Sequence, residues 1–389
     1  MTSEQLPDPP GQWVEIPQSS QLGLAFVPAP LPLRFPVHGS TVHAIGEVRA
    51  LIGRLCEGIA TLPSPELFLR PFRAREAVLS SRIEGTKTTL EAAFVHELDD
   101  AERARVDDDL EVQNYRRALG AGMSTLSTGR ALTVYLLRDL HRDLMRDVRG
   151  EQKRPGEFRD AQVWIGAVGG NSPEVRFVPP PSLQLAQCLE GLDGYLASRG
   201  SFEGLLRIAL AHYQFEAIHP FFDGNGRIGR LLLTMQMVWE GVLDSACLFL
   251  SPALERRRQD YYDRLLAVSR DGDFAGWIAF FLDIVRESAI ETLDRLRRLR
   301  ALQEEFTRRL RAVQSPKPAL LVPELFGLPF VNVPRAQRLL GCMPKTAQGA
   351  IEKLVSLGIL QKVEPLRREG RGRPSHLYRC GEVLEIVRE

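Results

Sequence analysis

Apolar positions recur with helical spacing over most of this chain, and one interval breaks the pattern. From about residue 43 to 148 several helical patterns follow one another, with Leu132, Leu136, Leu137, Leu140 and Leu144 marking one face. Between Gly150 and Pro181 the spacing changes. Two short apolar stretches, 162–165 and 175–178, flank a glycine- and asparagine-rich segment from Gly166 to Ser172, which predicts a β-hairpin. Helical spacing resumes at 183–198, 203–218, 227–240 and 253–270. A longer pattern, 274–313, has Gly276 as its sole internal Gly or Pro, and its Arg/Glu-rich second half predicts a connecting or dimer-forming helix. Residues 1–38 are proline-rich and poor in periodicity, which predicts an arm that wraps the surface or stays partly disordered.

Ser315-Pro-Lys-Pro318 reads as a linker. Beyond it, 334–340 and 346–357 are spaced as two short helices around a glycine turn. Residues 359–363 and 376–378 are spaced as strands around the basic tip 367–373. This arrangement resembles a winged-helix module. Ten Lys/Arg lie between Arg335 and Arg379 against Glu352, Glu364 and Glu369, so the module is basic within a chain whose net charge is +1. Such asymmetry fits a DNA footprint, but many modules of this kind only contact proteins, and both partners stay open.

The expected fold is therefore mainly α, with a β-hairpin and an α+β C-terminal module. Five segments are expected: a proline-rich arm at 1–38, a helical region at 39–125, a core at 126–285, a connecting helix at 286–315 and the C-terminal module at 316–389. Five scattered cysteines without a CxxC pair argue for a reducing compartment and against a zinc site or disulfide framework. No apolar run approaches the roughly 20 residues that span a bilayer, and the N-terminus does not read as a signal peptide. A soluble cytoplasmic protein is expected.

The richest chemistry lies in His219-Pro-Phe-Phe-Asp-Gly-Asn-Gly-Arg-Ile-Gly-Arg230. Gly224-Asn225-Gly226 permits tight backbone geometry in which N–H groups converge on an anion, at the start of a helix from Ile228 onward. Arg227 and Arg230 share a helix face suited to phosphate oxygens. Asp223 is a hard oxygen ligand, as a Mg²⁺ carrying substrate phosphates requires. His219 has the side chain to take a proton near neutral pH. Each feature alone has a bland reading; their ordered conjunction points to phosphoryl or nucleotidyl transfer from a metal-bound nucleotide.

This stretch matches the Fic signature His-x-Phe-x-(Asp/Glu)-Gly-Asn-Gly-Arg-x-x-Arg at all eight fixed positions, and the chain is identified as resembling that family. The resemblance implies a helical core that transfers AMP from ATP to a target hydroxyl, on Ser, Thr or Tyr. It makes His219 the general base and Asp223 the ligand of Mg²⁺ (or Mn²⁺). It assigns Phe222, Gly224, Asn225, Gly226 and Arg227 to ATP and its phosphates, and Arg230 to the γ-phosphate. Ser80-Ser-Arg-Ile-Glu84-Gly85 matches the family's inhibitory helix, in which Glu84 pairs with Arg230 and keeps the γ-phosphate out. The predicted hairpin resembles the family's flap, with Gln162, Val163, Trp164, Ile165 and Gly166 as the edge that pairs with a target backbone. Lys153-Arg-Pro-Gly-Glu-Phe-Arg159 resembles the approach to that flap. Tyr261 and Tyr262 lie where relatives contact adenine, although core packing explains them nearly as well. Three rivals remain: a transcription regulator with an idle core, a different phosphotransferase, and an enzyme that mainly removes AMP. A homodimer that buries the inhibitory helix is a further expectation from the resemblance.

Overall fold

The computed structural model describes residues 8–16, 23–32, 35, 37–98, 107–169, 172–198, 203–311, 313, 315–363 and 376–388. In chain order its elements begin with β1 (Gly11–Glu15) and β2 (Leu24–Pro28). Then come α1 (Gly39–Ala60), α2 (Pro65–Ile83), α3 (Leu90–Leu98), α4 (Asp107–Ser127) and α5 (Val134–Leu144). A 3-10 turn (Glu151–Lys153) leads to β3 (Ile165–Gly169) and β4 (Ser172–Phe177). They are followed by α6 (Ser182–Ala197), α7 (Gly204–Ile218), α8 (Asn225–Trp239), α9 (Ser251–Arg256), α10 (Arg258–Asp271) and α11 (Phe274–Leu310). The C-terminal elements are α12 (Lys317–Gly327), β5 (Phe330–Asn332), α13 (Val333–Leu340), α14 (Pro344–Ser356), β6 (Gln361–Val363), β7 (Leu377–Arg379) and α15 (Gly381–Arg388). The mainly helical fold is as expected.

Two compact units emerge, one from residues 1–53 and 114–289, the other from 54–113 and 290–389. They cut across the expected segments, since the region 39–125 contributes to both.

In the first unit α7 is the buried axis: from Leu205 to Ile218 nearly every side chain is enclosed. It packs on α8, α6, α10 and β2. Two indoles fix neighbours by donating to helix carbonyls, Trp277 Nε1 to Ala209 O and Trp239 Nε1 to Leu196 O. Helix α5 starts where Thr133 Oγ1 accepts from the Leu136 N–H at 3.1 Å, an N-cap. Leu132, Leu137, Leu140 and Leu144 are buried, so the apolar stripe does face the core.

Several local expectations are corrected. The arm, for which no element was predicted, carries β1 and β2, paired antiparallel with Trp13 opposite Phe26. The predicted helix 253–270 breaks at Arg257 into α9 and α10. The hairpin is displaced: β3 begins at Ile165 and pairs with Phe177, so Gln162, Val163 and Trp164 precede the strand. Gly166, at φ 159°, lies at the bulge in that register, a backbone state that glycine tolerates.

In the second unit α2 packs against α12, with Phe68 stacked on Phe326 at 5.1 Å. Helix α3 lies against β5. Strands β5, β7 and β6 form an antiparallel sheet in that order, beside α13 and α14. Here too the expectation shifts: Pro318 is not in a linker but in the first turn of α12, where its missing N–H costs nothing. The basic tip 367–373 lies outside the described residues.

Candidate active site

Helix α7 ends at His219, whose φ of 50° and ψ of 64° are left-handed while its N–H still donates to Phe215 O at 3.0 Å. A non-glycine residue there stores strain of roughly 1–2 kcal/mol. The chain then turns through residues 220–224 and re-enters a helix at Asn225. Asn225 closes this turn: its Oδ1 accepts from the Phe221 N–H at 2.9 Å, and its Nδ2 donates to Phe221 O at 2.8 Å. Sequence reasoning gave Asn225 to the phosphates. Its side-chain amide is instead spent within the loop and only 2% exposed, so the side chain shapes the site.

Gly224 stands before α8 at φ 76°, and a Cβ there would sit 2.9 Å from Met145 Sδ and 3.4 Å from His141 Nε2. Only glycine fits. The first N–H groups of α8 have no carbonyl within their own helix to bond, the arrangement that favours anions. Arg227 and Arg230 follow, both buried, at 3% and 1% exposure. The Arg227 guanidinium donates to Met145 Sδ and stands 3.9 Å from Asp223 Oδ1.

Asp223 divides its carboxylate. Oδ1 accepts the Gly224 N–H at 2.7 Å, and Oδ2 faces the Lys153 ammonium at 3.5 Å. That oxygen already attracts a cation, so its chemistry fits a divalent ion. No group of three or more His, Cys, Asp or Glu side chains suited to a metal occurs among the described residues.

Two residues outside the predicted site organise this loop. His141, on α5, is 1% exposed and stacks on Phe221 with ring centroids 3.9 Å apart. The Gly156 N–H donates to its Nδ1 at 2.9 Å, which leaves the proton on Nε2 to be donated to Asp223 O at 3.0 Å. Burial above all, with the nearby Arg227 charge, pushes this imidazole down to about 4 against the opposing pull of Asp223. Arg159, 2% exposed, spreads over four carbonyls. It donates to His219 O at 2.9 Å, Pro180 O at 2.7 Å, Ala161 O at 3.2 Å and Ile218 O at 3.3 Å. Burial lowers it to about 10. The flap and the loop of His219 are thereby stitched through one guanidinium. A signal for His141 existed: a polar residue four after Leu137, inside an apolar stripe.

Gln162 supports the flap base by donating to Pro179 O at 3.0 Å. With Gln152, Lys153, Arg154, Val163, Trp164 and Phe222 it lines a cavity of about 470 Å³ beside Asp223. Tyr261 is a correction. It is 1% exposed and packs against Tyr262 and Trp277. Its hydroxyl donates at 2.8 Å to Nε2 of His212, whose Nδ1–H donates to Gly229 O at 3.1 Å. Tyr261 is core, not an adenine platform. Tyr262 is half-buried under Arg258.

Ser80 and Glu84 belong to the second unit. Ser80 is fully buried in α2, and Glu84 caps that helix. The next residues are bonded to the start of α4: Thr86 Oγ1 donates to Glu111, the Lys87 N–H to Asp108 and Thr88 Oγ1 to Asp109.

Family models place this arrangement. The Fic/DOC family model matches residues 131–237 and the Fic/DOC family N-terminal model matches 42–124. Residues 131–237 are thus a Fic/DOC family domain, preceded by that family's N-terminal region. It is 30% identical over 156 residues to the protein adenylyltransferase Fic of Culex quinquefasciatus, covering 39% of this chain and 27% of that one. With the Drosophila ananassae protein of the same name it shares 26% identity over 185 residues, covering 47% of this chain and 34% of the relative. The matched region is thus about a third or less of these relatives' length. A Fic family protein from Desulfovibrio desulfuricans superposes with a TM-score of 0.56 at 22% identity, covering 89% of this chain and 97% of that one. Residues 134–508 of C. elegans Fic-1 give 0.51 at 18% identity, covering 66% and 74%. At these identities the solved structures show the fold.

Proposed function

We propose that this Fic domain protein transfers AMP from ATP to a Ser, Thr or Tyr hydroxyl of a target protein, or of itself. The observation that carries this reading is one loop: His219 in a left-handed turn, Asp223 facing a cation, and buried Arg227 and Arg230 behind the start of α8. The polyphosphate of ATP lies against the first-turn N–H groups of α8 and the two arginines. Mg²⁺ or Mn²⁺ held by Asp223 supplies charge neutralisation at the phosphates. His219 accepts the proton of the target hydroxyl, whose oxygen attacks the α-phosphorus. The bond to the β-phosphate bridge breaks and pyrophosphate leaves, its growing charge met by fixed N–H dipoles and guanidinium groups. The β3 edge aligns an extended target segment by main-chain bonds, with Trp164 and Ile165 beside it.

Glu84 is the brake in this reading. Its motif agrees with the inhibitory pattern, within the stretch that matches the family's N-terminal model. By competing for Arg230 it keeps the γ-phosphate from its productive place. The C-terminal sheet with α13 and α14 supports a winged-helix module whose partner is DNA or protein. A mobility-shift titration with genomic DNA fragments, with Lys345→Glu on α14 as control, separates the two.

The deciding experiment follows α-³²P-ATP label into protein for wild type, Glu84→Gly, and Glu84→Gly with His219→Ala. Weak, strong and absent label, in that order, is the expected result. Release of AMP from a modified target, without label uptake in any variant, points to removal instead. Label from γ-³²P-ATP but not α-³²P-ATP points to phosphotransfer.

A further inference from the structure

Both family matches begin after the N-terminal hairpin, since the earlier of them starts at residue 42. The hairpin is nevertheless built into the unit that holds the site. Ala25 and Phe26 of β2 are completely buried. The Phe26 N–H donates at 2.9 Å to the carbonyl of Val178, one residue past β4. The rings of Trp13, Phe26 and Phe177 close a triangle: 5.0 Å from Trp13 to Phe26, 6.0 Å from Phe26 to Phe177 and 6.3 Å from Trp13 to Phe177. Phe177 is the last residue of β4 and pairs with Ile165, the first of β3. On its other side the arm is fixed to α7, because Gln214 Nε2 donates to Ala29 O at 3.0 Å. That helix ends in His219.

An isolated two-stranded hairpin is marginally stable in water, so the direction in which the flap points depends on what grips its base. Two grips are visible. Arg159 ties Pro180 O to the carbonyls of Ile218 and His219 from one side. The arm ties Val178 and Phe177 to α7 from the other. We propose that the N-terminal hairpin is a positioning element for the protein target: Trp13 and Phe26 hold the Phe177 root, so that β3 presents its edge in register with His219. The proposal rests on the reading of the flap as a target-docking strand. Trp13 stays 41% exposed, so its removal disturbs the triangle without opening the core.

The test uses the full chain with Trp13→Ala and, as conservative rescue, Trp13→Phe. Amide hydrogen exchange is followed at Ile165, Val175 and Phe177, and in α7 and α8. Flap amides are expected to exchange at least about tenfold faster in Trp13→Ala and to recover in Trp13→Phe, with α7 and α8 unmoved. Unchanged flap exchange overturns the proposal. So does equal acceleration in α7, which would mean that the arm merely covers the core. A second measurement places the same substitution in Glu84→Gly and follows α-³²P label into lysate proteins, beside the affinity for a fluorescent ATP analogue. Several-fold slower labelling at unchanged nucleotide affinity supports the brace, and an unchanged rate overturns it. If Glu84→Gly alone labels nothing, the proposed function fails, and the exchange result by itself decides whether the arm holds the flap.

Discussion

Acid should loosen the active-site loop, because two of its supporting imidazoles are held neutral. His141 falls from its ordinary 6.5 to about 4 and His212 to about 3, in both cases chiefly through burial. The groups around His141 are the Asp223 carbonyl and carboxylate, the Gly156 N–H and Arg227. Around His212 they are the Gly229 carbonyl, the Tyr261 hydroxyl and Arg230. The sign follows from proton counting. Between the folded and unfolded values the unfolded chain binds more protons, so stability rises with pH through this window. The contribution is complete above 6.5 and is lost as pH falls toward 4 for His141 and toward 3 for His212.

At pH 5 an unfolded imidazole is almost fully protonated, whereas His141 is roughly one-tenth protonated. The difference is about 2 kcal/mol, with a similar amount for His212, or about 4 kcal/mol together. Protonating Nδ1 of His141 also sets two N–H groups against each other, since Gly156 donates there. Urea unfolding at pH 7.5 and 5.0, followed by tryptophan fluorescence, measures the loss. His141→Gln removes one titration while keeping a side chain that both donates and accepts. The loss between the two pH values should be smaller by about 2 kcal/mol in the variant, and carboxylates common to both proteins cancel. An identical loss in the two proteins refutes the assignment. So would an imidazole resonance of His141 that titrates near 6.5.

Two further outcomes test the geometry. Arg159→Met keeps the bulk but leaves buried carbonyls of residues 180, 218 and 219 without their donor; a net loss of about 2–4 kcal/mol in unfolding free energy is expected, after crediting the relief of guanidinium desolvation. Tyr261→Phe should cost about 1–2 kcal/mol of stability by orphaning Nε2 of His212, and should leave the affinity for an ATP analogue unchanged; a weakened nucleotide affinity at unchanged stability would restore Tyr261 as an adenine contact.

How much could be read beforehand depended on how far apart the cooperating residues lie in sequence. An anion nest needs consecutive N–H groups at a helix start, so Asp223 to Arg230 must be contiguous, and the sequence displays them in one line. Helical spacing likewise delivered α5 to α8, because burial of one face is a local pattern. The supports are different in kind. His141 reaches Asp223 across 82 residues and Arg159 reaches His219 across 60, and a polar side chain gives no local sign of which distant carbonyl it will meet. Tyr261 stayed open between adenine contact and core for the same reason: its partners His212 and Trp277 lie on other helices, and only their packing turns an aromatic near the site into core. The strands of the arm went unpredicted for a second reason. Its strands are five residues each amid prolines, too short for alternation to stand out, and their burial is created by α7 and the flap root. The division has a mechanistic meaning. The residues proposed to meet the phosphates are held together by chain continuity, whereas those proposed to set the flap against His219 depend on tertiary packing. Mutations in the second group should therefore change target use and acid stability while the signature itself stays intact.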